Sequence, residues 1–209
     1  CLARGNLVRD VLNRVRCQGA IALAAEQVGV AQQCLDLTLV YTGQRHQFDR
    51  PVAGFQAVKH RCAQMLVALE SARSAVYGAA CMADTHPDSA VLMFYAAQAR
   101  VAATEAALFC SREAIQLHGG VGFTWEFDPH FYLRRAQAAS QRLGPVSWWL
   151  EQVAEQLIHA ERMWFVLAPE GTRKAVTQWK PGFWKIAKKA NLPVVCVYFD
   201  YPSKTIGVG

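Results

Sequence analysis

Lysine is almost missing from the first 162 residues, where Lys59 stands against 14 arginines. This segment has almost no charge excess either, because its 15 basic and 14 acidic residues leave a net charge of +1. A near-neutral body lacks the basic footprint that nucleic-acid binding requires. We therefore expect no nucleic-acid partner.

Two further absences narrow the function classes. No apolar run reaches the roughly 20 residues that span a membrane, so no transmembrane segment is expected. None of the seven cysteines forms a C-x-x-C pair or clusters with histidine at ligand spacing, which predicts neither a metal site nor a disulfide framework. Buried free thiols in a reducing compartment are the expectation, with a cytoplasmic location.

The last 47 residues have the opposite charge composition. Residues 163–209 hold six lysines against Arg173 and only two acidic residues, a net charge of +5. Such a segment suits a phosphate-bearing substrate or a membrane surface, but a solvated lysine face is an equally good interpretation. The compositional break predicts two parts, 1–162 and 163–209.

Residues 1–162 predict a mainly α-helical, antiparallel bundle, because apolar residues recur at three- and four-residue steps and the breaks between helices are short. The predicted helices cover 6–42, 55–83, 89–117, 128–140 and 145–162. The predicted buried stripes are Leu12, Val15, Gly19, Leu23, Glu26 and Val30 on the first helix, Val58, Met65, Leu69, Ala72 and Val76 on the second, and Met93, Ala97, Val101 and Leu108 on the third.

The tail has a different pattern. An apolar run at 164–168, a helix at about 182–190 and a β-branched run at 192–199 predict a small α/β appendage of the βαβ kind. One such unit is too small to fold alone.

Polar residues collect at the breaks between the predicted helices. One cluster contains Arg45, Gln47 and Phe48, a second begins the next helix at Gln56, and a third contains Gln116, Gly119 and Gly120. Glycine lets backbone N–H groups approach a ligand, and an arginine fork suits a pyrophosphate. The glycines alone are more typical of an interhelical turn, since they follow a helix rather than the strand of a Rossmann fingerprint.

Residues 1–158 resemble the C-terminal helical domain of the acyl-CoA dehydrogenases. The resemblance is carried by ALAAEQVG at 22–29, YTGQRHQFDRPVAGFQAVKH at 41–60 and QLHGGVGFTWEFDPHFYLRRA at 116–136. It implies FAD as cofactor and an acyl-CoA substrate, and the GFTWE form is most similar to members that act on sterol side chains and other bulky acyl groups. An N-terminal helical domain and a middle β-domain precede this domain in the family.

The resemblance also implies roles for single residues. Arg45 would contact the FAD pyrophosphate of a neighbouring subunit, so the site would be shared within an oligomer. Gln47, Phe48 and Gln56 match flavin-contacting positions. Gln116, Gly119 and Gly120 match the loop that holds the ADP part of FAD.

The chain departs from the family at the catalytic base, so no catalytic residue is assigned. The family removes a proton alpha to a thioester with a carboxylate. At the usual position this chain reads Leu143-Gly144-Pro145, and the alternative family position aligns to Gly19. Glu26 and Glu126 match non-catalytic positions. The resemblance therefore implies a subunit of a heteromeric enzyme that helps form the FAD site and relies on a base-bearing partner. Asp49 is a second departure, since it replaces the usual glycine.

Residues 164–209 resemble the central part of lysophosphatidic acid-type glycerolipid acyltransferases. The resemblance is carried by WFVLAPEGTRK at 164–174 and WKPGFWKIAKKANLPVVCVYFDY at 179–201. It implies that Glu170 and Arg173 position the phosphate of an acceptor. The H-x-x-x-x-D motif of that chemistry is absent, since none of the six histidines has an aspartate five residues later.

Three functions follow from the sequence. The first is a truncated subunit of an FAD-dependent acyl-CoA dehydrogenase, working as a homo- or hetero-oligomer. The second is an inactive acyltransferase fragment. The third is a non-catalytic helical assembly module.

Overall fold

The computed structural model of this chain describes residues 6–87, 91–159, 197–200 and 205–208. The chain divides into two compact units, residues 1–156 and 157–209. The first unit contains the helices, and the second contains a short β-hairpin.

Long helices dominate the first unit. They are α1 (Asn6–Gln44), α2 (Gln56–Thr85), α3 (Leu92–His118), α4 (Pro129–Ser140) and α5 (Val146–His159). The prediction of a mainly α-helical bundle is confirmed, and the predicted helix ends lie within three residues of the observed ones. Pro129 begins α4 at a position where its missing N–H costs no helical hydrogen bond.

Helix α3 lies at the centre of the bundle, where α1, α2 and α4 all contact it. Its buried residues include seven alanines between Ala96 and Ala114, together with Cys110. Side chains this small let neighbouring helices approach closely. The large residues predicted for its stripe, Met93, Val101 and Leu108, are only partly buried, whereas Ala97 of the same stripe is fully buried.

The predicted stripe of α1 was wrong at its N-terminal end. Leu12 and Val15 are about 60% exposed, and burial begins at Cys17. Periodicity finds the apolar face of a helix but does not show how far its neighbours extend along it. On α2 the prediction held for Met65, Leu69, Ala72 and Val76, which are buried, whereas Val58 is half-buried.

A tight hairpin joins α1 to α2. Strands β1 (His46–Gln47) and β2 (Arg50–Pro51) pair antiparallel around the two-residue turn Phe48–Asp49. Both turn residues have positive φ, 53° and 58°, as a type I′ turn requires. A 3-10 turn at Val52–Gly54 then leads into α2.

A buried cation ties three helices together. Arg100 on α3 is fully buried and donates to Gln27 Oε1 at 2.7 Å, to the Ala139 carbonyl at 2.7 Å and to the Arg142 carbonyl at 3.0 Å. It also donates to Thr104. The two carbonyls lie at the C-terminal end of α4, where the helix dipole is negative. Within the described residues no carboxylate pairs with Arg100, and burial lowers its pKa.

The second unit contains β3 (Val197–Asp200) and β4 (Thr205–Val208), which pair antiparallel with Val197 opposite Val208. Strand β3 overlaps the strand predicted at 192–199. The strand predicted at 164–168 and the helix predicted at 182–190 lie outside the described residues, so the βαβ appendage stays a prediction.

No helix in the described part of the chain is both long and apolar enough to cross a membrane. A search of the same residues finds no group of three or more histidine, cysteine or acidic side chains placed to hold a metal ion.

Candidate functional site

A cleft of about 350 Å³ lies where the C-terminal ends of α1 and α3 meet. Its walls come from two stretches of chain that are far apart in sequence, around the α1–α2 hairpin and around the end of α3. The lining residues are Tyr41, Arg45, Gln47 and Val52 from the first stretch, and residues 116–121 from the second. The fold thus places five of the predicted cofactor residues around one cavity.

Arg45 follows α1 directly, and its backbone N–H still donates to the Tyr41 carbonyl at 2.8 Å. The Val52 N–H donates to the Arg45 carbonyl at 2.8 Å, which extends the β1–β2 hairpin by one bond. These bonds fix the backbone on both sides of the side chain. No carboxylate among the described residues forms an ion pair with this exposed arginine, so its guanidinium can bind an anion.

The three glycines after α3 differ in whether the structure requires a glycine at their position. Gly119 has φ +66°, which disfavours any side chain, and Gly122 packs so tightly that an added Cβ would lie 2.6 Å from the Ile115 carbonyl oxygen. Neither reason applies to Gly120, where an added Cβ would meet nothing within 4 Å. The backbone at Gly119 and Gly120 is therefore open to close approach from outside the chain.

His118 lines the same cleft and is almost fully buried. Its ring stacks on Tyr41 with centroids 4.3 Å apart, and Phe127 meets both rings edge-on. Sequence reasoning missed this residue as a site candidate, because an aromatic stack between the ends of two helices leaves no spacing signal.

Two predicted flavin contacts do not line this cleft. Phe48 is 86% exposed at the tip of the hairpin, where its ring meets the edge of Phe55. Gln56 begins α2 and hydrogen-bonds to His60 at 2.9 Å. The predicted phosphate contacts Glu170 and Arg173 lie outside the described residues.

Gly19 and Leu143, the positions where the resemblance implies that the family's bases would stand, lie side by side. A Cβ added to Gly19 on α1 would stand 3.3 Å from Leu143 Cδ1. Leu143 has φ +60° and Gly144 has φ +100°, so the turn between α4 and α5 is left-handed at both residues. Trp148 and Trp149 pack against this turn. An apolar side chain therefore adjoins Gly19, and neither position carries a carboxylate.

Neither of the other two acidic candidates is placed to act as a base near neutral pH. Glu26 accepts two hydrogen bonds from Arg135, and these lower its pKa. Glu126 is fully exposed beyond α3, and a hydrogen bond from Thr124 lowers its pKa. A lowered pKa makes a carboxylate a weaker proton acceptor.

The helical unit is similar to proteins of known family. The family model described as the acyl-CoA dehydrogenase C-terminal domain matches residues 11–158. Acyl-CoA dehydrogenase IpdE2 of Mycobacterium tuberculosis is 48% identical over 124 residues, which are 59% of this chain and 36% of that protein. The chain thus spans little more than a third of this relative's length.

Solved structures share the fold. The ChsE4–ChsE5 complex from Mycobacterium tuberculosis matches with a TM-score of 0.67 and 27% identity, over 76% of this chain and 42% of that one. A steroid acyl-CoA dehydrogenase variant, Tcur3481–Tcur3483, matches with a TM-score of 0.62 and 32% identity, over 66% of this chain and 37% of that one. The family match stops short of the acyltransferase-like segment at 164–209, which gains no support from it. This chain belongs to the acyl-CoA dehydrogenase family, with residues 11–158 forming its C-terminal domain.

Proposed function

We propose that the helical unit provides part of an FAD site in an oligomeric acyl-CoA dehydrogenase. One observation carries the proposal: the fold gathers Arg45, Gln47, Gln116, Gly119 and Gly120 around one cleft. These residues come from chain segments about 70 residues apart. A purely structural turn after α3 would not need an arginine in the same cleft that has no ion-pair partner among the described residues.

The residues present fit the pyrophosphate of FAD. A phosphate can approach the open backbone at Gly119 and Gly120 closely. The guanidinium of Arg45 can donate two hydrogen bonds to it, and no carboxylate among the described residues competes for this arginine. Gln47 and Gln116 would add amide hydrogen bonds to the ligand. FAD, when bound, supplies the acceptor for the hydride that leaves the acyl chain. Phe48 and Gln56 would act outside this cleft, toward the flavin end.

The residues of this chain fit best a subunit that lacks a catalytic base. Leu143 and Gly19 contribute no carboxylate, and Glu26 is committed to Arg135. A complete enzyme would then need the general base from a partner subunit. The similarity to a structure named as the complex of ChsE4 with ChsE5 supports a hetero-oligomer, and the similarity to a steroid acyl-CoA dehydrogenase supports a bulky acyl-CoA substrate.

FAD binding and acyl transfer distinguish the other two functions from this one. A non-catalytic assembly module would fold and associate without binding FAD. An inactive acyltransferase fragment would neither bind FAD nor transfer an acyl group to a lysophospholipid, and acyl transfer by the purified chain would show that the fragment is active after all. Neither has an observation in the described residues that favours it.

The first experiment is an FAD titration of the purified chain, followed by flavin fluorescence, with the oligomeric state measured on the same sample. Saturable binding by an oligomer is the expected result. An oligomer that binds no FAD would refute the cofactor role and leave the assembly module.

Arg45→Ala tests the central contact. It removes a charge-assisted hydrogen bond, which contributes about 1.5–3 kcal/mol, so Kd for FAD should rise about ten- to 150-fold. Arg9→Ala is the matched control, because Arg9 is an exposed arginine near the opposite end of α1. Equal Kd values for the two variants would remove Arg45 from the site.

A further inference from the structure

His118 is the one titratable imidazole in the wall of the cleft, and the proposed function does not use it. Its Nδ1 lies 2.7 Å from the Ala114 carbonyl oxygen, which can only accept, so Nδ1 carries a proton and donates. The stack on Tyr41 and the edge contact with Phe127 hold the ring plane. The ring is therefore fixed with one nitrogen committed to the backbone.

The other ring nitrogen, Nε2, has no hydrogen-bond partner among the described residues. Four side-chain nitrogen atoms in the described residues are buried without a hydrogen-bond partner, and His130 Nε2 is one of them. His118 Nε2 is not, although no described residue hydrogen-bonds to it. The residue keeps an exposed fraction of 5%, and it lines the cleft.

The charges around this ring favour an anion in the cleft. The other titratable groups in the wall are Tyr41, stacked on the ring, and Arg45 from the α1–α2 connection. No acidic side chain lines the cavity. Burial lowers the pKa of His118, and the hydrogen bond to Ala114 opposes that shift in part, so the ring is neutral at neutral pH when the cleft holds only water. An anion beside it favours the protonated form.

We propose that His118 is a second anion contact of the cleft, and that its Nε2 takes up a proton from solvent when the FAD pyrophosphate binds against Arg45. This inference rests on the proposed FAD site. The protonated ring would keep its Nδ1–H bond to Ala114 and donate Nε2–H to a phosphate oxygen. Arg45 and His118 line the same cleft of about 350 Å³, so one anion in the cleft could contact both side chains.

The test measures FAD binding to the full chain between pH 5.5 and 8 by fluorescence and calorimetry. The FAD pyrophosphate keeps its charge over this range, so a change in affinity reports on the protein. A rise of one unit in the pKa of His118 on binding corresponds to about tenfold in affinity. We expect Kd to be about three- to tenfold lower at pH 5.5 than at pH 8. Calorimetry in buffers of different ionisation enthalpy should show net proton uptake.

Two variants locate the titrating group. His118→Phe keeps an aromatic ring against Tyr41 but removes Nε2, so its Kd should no longer depend on pH. His130→Phe is the matched control, because His130 is also buried and lies outside the cleft lining. It should keep the wild-type pH dependence.

The outcomes separate this inference from the proposed function. Binding of FAD without proton uptake and without pH dependence would overturn the role of His118 and leave the FAD site standing. A pH dependence that persists in His118→Phe would also overturn it. Absence of FAD binding at every pH would overturn both. If His118→Phe does not fold, the calorimetric measurement of proton uptake by the unaltered chain on FAD binding still tests the role of His118.

Discussion

Replacing Arg100 should destabilise the bundle more than replacing any exposed arginine. Its guanidinium joins α3 to Gln27 on α1 and to the Ala139 and Arg142 carbonyls at the end of α4. Arg100→Ala would remove one donor from each acceptor. Gln27 Oε1 keeps the Thr104 hydroxyl and the Ala139 carbonyl keeps the Arg142 N–H, whereas the Arg142 carbonyl loses its one donor among the described residues. The substitution would also leave a cavity, because Arg100 is among the largest fully buried side chains in the described part of the chain.

The contacts and burial of Arg100 set the expected loss in the free energy of unfolding. A buried group left without its partner costs about 1–3 kcal/mol, and water entering the cavity would satisfy part of the loss. No carboxylate among the described residues pairs with Arg100, so the variant leaves no unpaired charge, and the cavity left by truncating a large buried side chain costs about 2–5 kcal/mol. We expect Arg100→Ala to lower the free energy of unfolding by about 3–5 kcal/mol. For a unit of this size that is a fall in Tm of roughly 10 °C.

Urea unfolding followed by circular dichroism measures the loss. Tryptophan fluorescence gives a local readout, since Trp148 and Trp149 pack against the turn after α4. Arg112→Ala is the matched control, because Arg112 is an exposed arginine on the same helix. Its effect should stay within about 0.5 kcal/mol.

A loss below about 1 kcal/mol for Arg100→Ala would refute the reasoning. It would mean that water replaces the guanidinium at no net cost, and that Arg100 does not hold the end of α4. Arg100→Lys should give an intermediate loss, because one ammonium cannot reach all the acceptors that the planar fork covers.

Three further outcomes are expected. Asp49→Gly should stabilise the chain by about 0.5–1 kcal/mol in thermal unfolding, since glycine adopts φ +58° without strain but orders at a greater entropic cost. An unchanged or lower Tm would contradict this. Site-resolved mass spectrometry of thiol labelling should find exposed Cys81 modified before Cys34 and Cys110, which resist because burial raises the pKa of each to about 12. Fast labelling of either buried thiol would show that the bundle opens. Deleting residues 163–209 should leave the helical transition in place, because the described core lies upstream. Loss of that transition would show that the tail stabilises the bundle.

The helices were predictable because their signals are local. The apolar periodicity and the turn residues at Gly43, Pro51 and Pro87 lie within a few residues of the ends they mark. The extent of burial along α1 was not predictable, since it depends on where α2 and α3 end relative to it. Leu12 and Val15 repeat at helical spacing as regularly as the buried residues do, yet remain exposed.

Parts of the site depend on contacts that no spacing encodes. Arg45 and Gly119 could be selected from the sequence because arginine and glycine have distinctive chemistry at a break between helices. The stack of His118 on Tyr41 joins residues 77 positions apart, and the contact of Gly19 with Leu143 joins residues 124 apart. Such pairs are fixed by how α1, α3 and the turn after α4 pack in three dimensions.

The partners of Arg100 cannot titrate, and this separates two kinds of electrostatic contact in the bundle. Gln27, Thr104 and two backbone carbonyls keep their polarity at any pH at which the chain is folded. The Glu26–Arg135 pair, by contrast, responds to pH. It stabilises the fold fully above the ordinary pKa of a glutamate, and this stabilisation disappears as the pH falls through the lowered pKa of Glu26. Acid should therefore release α1 from Arg135 while Arg100 still holds α1 to the end of α4, so the turn that presents Leu143 should resist acid better than the surface around it.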